Sequence, residues 1–582
     1  MEMNARFTSL SRHYIEALLR ASPVRATALG DTRFNKQLDD VSPEARQAHL
    51  GIKKDVVKQL EQIDRSALDR ENQIDYEILL HHLKREIWAT EHLREWEWNP
   101  LVSTQVAGNA IYGLLARSEI SDSIPLLAAA DRCRQFPQFF EQSREALDPK
   151  QCSQIHTKTA IEQNRGIHHL LEQWMVARID QLAPEQKQRV ADAIDIAKQA
   201  VEQQQAWLED ELLPKSHASP RLSEELYREK FAHEFPNSGG PEEFKLRTRK
   251  LLKDIHDEMF TLACDILTSR DPSYIVPHTL SSEEQKAVIR NGLEIAYQDT
   301  VPSDQLVEAA KESLHLATDF VRNSDLISFP DEPLEIHLMP EFRRGVSVAY
   351  CDAPGPLEKN GKTFYAVSPP SATWTAEQTQ SYLREYNVRS LHNLTVHEAM
   401  PGHHVQYVLA RGCPSPVREV LRSGTFIEGW AVYSEGMMVE EGFLDNDPLM
   451  RLIVLKWRLR VIGNALLDQM VHLDKCDESE AMNLLVGDAF QEEREAAGKF
   501  QRAQLTSVQL STYLMGLLNV TDIRESAEQA WGREFRLKRF HDTLLKFGAP
   551  PPPIVKALLL DEEIPRVDAD SYDDLEKHPV RA

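Results

Sequence analysis

The sequence predicts a mainly α protein with one small β-sheet in its second half. Three features carry that prediction. Apolar residues recur at three- and four-residue spacing along most long segments, as one face of a helix requires. The stretch from 334 to 367 departs from that spacing, with short β-type runs bounded by Pro and Gly. The composition, 42% apolar and 27% charged over 582 residues, suits a chain that buries a large core without a disulfide or metal staple.

The first element is "RFTSLSRHYIEALLRA", which puts Phe7, Leu10, Tyr14, Leu18 and Leu19 near one helix face. "ENQIDYEILLHHLKREIWATEHL" and the segment from Ile167 to Leu213 read the same way. Within the latter, Pro184 marks a fresh helix start, because proline suits the first turn. "GGPEEFKLRTRKLLKDIHDEMFTLACDIL" starts another helix at Pro241, after the Gly239-Gly240 break. Two runs, Leu334–Leu338 and Val346–Tyr350, read as strands with turn signals between them. "NGKTFYAVSPP" reads as a third, with Asn360-Gly361 as its turn. After Trp374 the chain returns to long helices, and its end trails into a polar, loose tail. No fixed-period repeat interrupts this order. The expected organisation is a helical lobe over residues 1–300 and a lobe with the sheet over 301–582.

The formal charge of −24, from 67 basic and 91 acidic residues, argues against nucleic acid or an anionic membrane surface as partner. Six scattered cysteines form no C-x-x-C pair and read as reduced thiols. No apolar run reaches the roughly 18 residues of a membrane span. The N-terminus lacks the basic start and apolar run of a signal peptide, so the cytoplasm is the expected location, a removed leader aside. Oligomeric state is not legible.

The chemistry concentrates in "LTVHEAMPGHHVQ", residues 394–406. His397-Glu398 begins like H-E-x-x-H, in which two histidines on one helix face bind zinc and the glutamate activates water. The fourth position after His397 is Pro401 instead. In a straight helix His403 falls about 240° past a full turn from His397, whereas His404 is on the right face but about 10 Å along the axis. A kink or loop at Pro401-Gly402 brings His403 round. Local geometry therefore leaves His403 and His404 both eligible as second ligand. "SGTFIEGWAVYSEGMMVEE" adds Glu428 and Glu435, seven apart on one face of an apolar helix. Acids on such a stripe are costly unless paired or bound to a cation. Glu428 is placed to be the third ligand, and Glu435 to orient a ligand histidine. A di-iron bundle needs two E-x-x-H units; only Glu312 to His315 supplies one.

"SLHNLTVHEAMPGHHVQ" and "FIEGWAVYSEGM" closely resemble the hallmark motifs of the family labelled domain of unknown function 885, also written DUF885. "LLRASPVRATALGDTRFNKQLDDVSPEA", "GKTFYAVSP" and "FGAPPPPIVKALL" are similar to other parts of it, so the likeness covers nearly the whole chain. More distantly, the layout resembles the thimet-oligopeptidase and carboxypeptidase Taq families, which place H-E-x-G-H on one helix and two glutamates seven apart on the next. The resemblance implies a large multi-helix, gluzincin-like peptidase fold with the small sheet beside the active-site groove, and a single Zn2+ ion. Aligning the G-H of those families on Gly402-His403 makes His403 the second ligand and turns His404 toward substrate or a ligand's support.

The same likeness reaches "KFQRAQLTSVQLSTYLMG", similar to a family segment R-Y-x-x-x-P-G-Q-A-L-S-Y-x-x-G. Arg502, Gln509, Tyr513 and Gly516 match; Ala503, Ser507 and Val508 depart from it. The resemblance implies Tyr513 as donor to the oxyanion, with Arg502 and Gln509 at the substrate. The expected activity is zinc-dependent hydrolysis of short peptides, with Glu398 as base and a strand bearing Tyr350 or Tyr365 lining the groove. Two other readings use the same residues: hydrolysis of a non-peptide amide, and a catalytically silent scaffold that keeps its metal site.

Overall fold

A computed structural model describes residues 2–119, 122–277, 279–328, 332–339, 348–358, 361–371, 374–411 and 413–567. Helix makes up 73% of it, and one three-stranded sheet accompanies the helices. The first helix, Glu2–Ala21, buries Phe7, Leu10, Tyr14, Leu18 and Leu19, the face set by the spacing. Pro184 and Pro241 each open a helix, Pro184–Ala206 and Pro241–Arg270. At that position the missing N–H would have had no intrahelical acceptor in any case.

The chain forms two compact units. One comprises Met1–Pro220 with Ala353–Lys362 and Pro414–Leu421. Its core includes the fully buried Arg132, whose guanidinium donates to the carbonyls of Pro23, Gln37 and Ala110 and to Thr27 Oγ1. Burial pulls that guanidinium down to about 10, with the Asp39 carboxylate opposing the shift. In the same unit Arg418 Nε lies 2.9 Å from Asp75 Oδ1, and Ser415 Oγ donates to Asp75 Oδ2.

The second unit comprises Arg221–Asp352, Thr363–Cys413 and Arg422–Ala582. Residues 221–300, read with the first lobe in the sequence, pack here: Tyr227, Phe231, Phe244 and Met259 are buried in this unit's core. The unit holds the sheet, in the order β1 (Leu334–Leu338), β3 (Thr363–Val367), β2 (Ala349–Asp352). β1 runs parallel to β3 and β2 antiparallel to it, with Cys351 opposite Tyr365. The second strand begins at Ala349, later than the expected Val346; residues 346 and 347 lie outside the described residues, as do Asn360 of the expected turn and the tail from 568. Residues 353–362 join β2 to β3, longer than a two-residue hairpin. No cysteine forms a disulfide. Among the described residues no helix is long and apolar enough to cross a membrane.

Candidate metal centre

The histidine helix, Val388–Glu398, starts on Asn387, whose side chain accepts from the backbone N–H of Arg389 and Ser390. It ends where Ala399 leaves helical geometry (φ −122°, ψ −76°). The Met400-Pro401 peptide is cis, and the Gly402 N–H turns back onto the Val396 carbonyl at 2.9 Å. A Cβ at Gly402 would lie 1.9 Å from the His397 carbonyl oxygen, so only glycine fits this close approach. A second helix, His403–Ala410, starts at once. The corner sets the His397 and His403 rings 4.8 Å apart and nearly perpendicular. His403 also stacks on Tyr407, which fixes its ring plane.

The carboxylate helix, Gly424–Glu440, supplies the rest. Glu428 Oε2 stands 3.6 Å from His397 Nε2 and 3.6 Å from His403 Nε2. Ligand atoms of these three residues all lie within 4.8 Å of one another. Tetrahedral ligands on zinc bonds of about 2.1 Å stand about 3.4 Å apart, so the spacing fits. Glu428 Oε2 is also buried with no hydrogen-bond donor among the described residues. A carboxylate oxygen in that state is costly unless a cation meets it. Donor types, spacing and the orphaned oxygen all fit a zinc ion.

Glu435 Oε1 lies 2.7 Å from His397 Nδ1, and Asn393 Nδ2 donates to Glu435 Oε2 at 2.9 Å. A carboxylate only accepts, so this contact places the proton on Nδ1 and leaves the Nε2 lone pair facing Glu428. With no cation present, burial disfavours charge on His397, but the neighbouring carboxylates of Glu428 and Glu435 outweigh that and raise its pKa. Burial also pushes the Glu428 carboxyl up; the two histidines more than reverse this and hold it well below the usual carboxylate range. His404 is buried away from this group, with the Glu332 backbone beside it, and burial lowers its pKa.

Glu398 is buried, and desolvation raises its pKa; His397 and His403 oppose the rise, as does the backbone N–H of Cys351 on β2. Tyr513 opens the late helix, Thr512–Trp531. The negative charge of Glu428, then burial, raise the Tyr513 hydroxyl, while Arg502 opposes them. The two helices touch through glycines. A Cβ at Gly516 would sit 2.1 Å from the Thr425 carbonyl oxygen, and one at Gly429 would sit 2.4 Å from the Gly516 carbonyl carbon.

Arg502 Nη2 donates to Gln509 Oε1 at 3.0 Å and reaches the Tyr513 hydroxyl at 3.4 Å. Val508, where the family segment has glycine, keeps a left-handed backbone (φ 66°). That costs a β-branched residue about 1–2 kcal/mol. Asp468 secures the loop by accepting from the Val508 N–H, Ser511 Oγ and Tyr227 hydroxyl.

The sequence-derived residues thus divide. His397, His403, Glu398, Glu428, Glu435 and Tyr513 come together, with Arg502 and Gln509 beside Tyr513; His404 does not join them. Tyr365, expected at the substrate, is fully enclosed on the central strand, its hydroxyl 3.3 Å from Thr395 Oγ1 beneath the histidine helix. It therefore supports that helix and touches no groove. Tyr350 lies on β2, which pairs only with β3 among the described strands. Sequence reasoning passed over Asn393, Asp468 and Trp430. The Trp430 indole N–H donates to the Pro401 carbonyl at 3.0 Å and clamps the corner. Asn393, four residues before His397 and on its face, was the readable signal.

The fold and site define a mainly helical protein with a half-buried His-His-Glu cluster and a neighbouring carboxylic acid. The chain belongs to the DUF885 family, described as bacterial proteins of unknown function, whose model matches residues 23–559. Its fold is shared with a candidate lipoprotein of unknown function from Shewanella oneidensis, 30% identical, covering 95% of this chain and 99% of that one at a TM-score of 0.79. A candidate lipoprotein from Colwellia psychrerythraea, 17% identical, covers 96% and 99% with a TM-score of 0.77 and shows the fold alone. No curated protein matches.

Proposed function

We propose that this chain is a zinc-dependent metallopeptidase that hydrolyses short peptides. The observation that carries the reading is Glu428 Oε2, buried without a donor among the described residues and 3.6 Å from each of two imidazole nitrogens. His397, His403 and Glu428 hold the ion. Bound there, zinc lowers the pKa of a water and polarises a carbonyl. Glu398 takes a proton from the attacking water. The water oxygen bonds to the acyl carbon, the C–N bond breaks, and Glu398 returns the proton to the leaving nitrogen. Its raised pKa suits that exchange, because a very weak base would not take the proton. The Tyr513 hydroxyl accepts from Arg502, which turns its own proton outward to meet the developing oxyanion. β2, whose Cys351 N–H bonds Glu398, is the strand beside which an extended peptide lies.

Glu398→Gln is expected to keep stoichiometric zinc and lose hydrolysis by a factor of about 100 or more. Wild-type rates in that variant would remove Glu398 from the role. A panel of short peptides and N-acyl amino acids separates a peptidase from a hydrolase of other amides. Zinc content with no turnover on either class would favour a silent scaffold. The cytoplasm stays the proposed location; the lipoprotein description of the Shewanella neighbour weighs against it, and cell fractionation decides.

A further inference from the structure

We infer that Arg502 receives the free C-terminal carboxylate of the substrate, so that cleavage falls within about three residues of the peptide's end. The inference rests on the peptidase reading above. Several guanidiniums packed in this unit are ion-paired: Arg460 with Glu495, Arg524 with Glu440 and Glu528, Arg389 with Asp299 and Asp447. Arg502 is not. Among the described residues it meets no carboxylate, only the neutral oxygens of Gln509 and Tyr513. It is half-buried, and a partly desolvated guanidinium held in place by neutral acceptors still has donors to offer to an anion.

Its position limits what that anion is. The 3.4 Å contact ties Arg502 to the hydroxyl that serves the oxyanion. Both protons of Nη2 are engaged by Gln509 and Tyr513, so the carboxylate meets Nη1 or Nε. From an oxyanion bonded to Tyr513 the span is then at most about 11 Å, given bonds of about 2.8 Å at each end and about 2.3 Å across the guanidinium. An extended chain covers that distance in no more than about three residues at roughly 3.5 Å each. The leaving product is about one to three residues long. Gln509, between the two loop residues that Asp468 secures, accepts from the guanidinium, so the group is oriented before substrate arrives.

The test compares peptides with free and amidated C-termini on zinc-loaded wild type, Arg502→Met and Arg502→Lys, with product masses read. Wild type should favour the free acid in kcat/KM on the order of 10- to 100-fold. Arg502→Met should lower kcat on both substrates through Tyr513 and, beyond that shared fall, raise KM for the free acid alone so that the preference is lost; Arg502→Lys should restore part of it. Equal use of acid and amide by wild type overturns the inference. So does an equal fall on both substrates in Arg502→Met, which would make Arg502 only a positioning residue for Tyr513. If no peptide is cleaved, the peptidase reading fails, and calorimetry on metal-free protein then decides the carboxylate site alone. Alanyl-phenylalanine binding more tightly than its amide in wild type and not in Arg502→Met supports the site; equal binding overturns it.

Discussion

His403 and His404 are adjacent, both buried, and only His403 faces Glu428. Metal analysis of the two alanine variants should read this directly. His403→Ala is expected to lower zinc affinity by several orders of magnitude, and His404→Ala to keep the ion while losing stability. Zinc retained in the first and lost in the second would reverse the assignment. At this scale much was legible. Residue chemistry alone singled out His397, Glu398, Glu428 and Glu435, since acids on an apolar stripe need a partner. The choice between the two histidines was not legible, because helical extrapolation stops at Pro401. Val508 shows the complementary limit: the sequence flags a lost glycine, but not that Asp468 holds the left-handed turn regardless.

Between elements, a close approach joins the carboxylate helix to the helix of Tyr513, through Gly429 and Gly516. Gly516→Ala would drive a methyl into the Thr425 carbonyl and force the helices apart. The expected outcome is a loss of about 3 kcal/mol or more of stability, and a fall in kcat exceeding any fall in zinc content, since Glu428 and Tyr513 separate. A variant with unchanged melting and turnover would show that the contact yields freely. The helices and the sheet were legible here from periodicity and proline starts. The pairing of β3 at the centre was not, because alternation gives a strand's faces and not its neighbours. Tyr365 was misplaced for that reason.

For the whole molecule, the core is large and zinc is not needed to build it. Chelation should therefore leave the helical circular dichroism intact. The melting temperature should fall by a few degrees, as expected when a ligand worth about 4 kcal/mol at a thousandfold excess over Kd leaves a chain of this size. Wholesale loss of helix on chelation would contradict the division between core and site. The lobes show how far long-range order escapes the sequence. Residues 221–300 look like more of the same helical pattern, yet their aromatic residues fill the core beside the site.

The corner at Gly402 has a wider consequence. In a continuous helix, pitch dictates how far apart two ligands sit along the chain. Here a contact between a residue without a side chain and the His397 carbonyl does so instead. The number of residues between ligands is then free to vary while the spatial arrangement stays fixed. Searches that recognise such centres by counting positions will miss those that turn a corner, and a search built on the distance between nitrogen atoms will not.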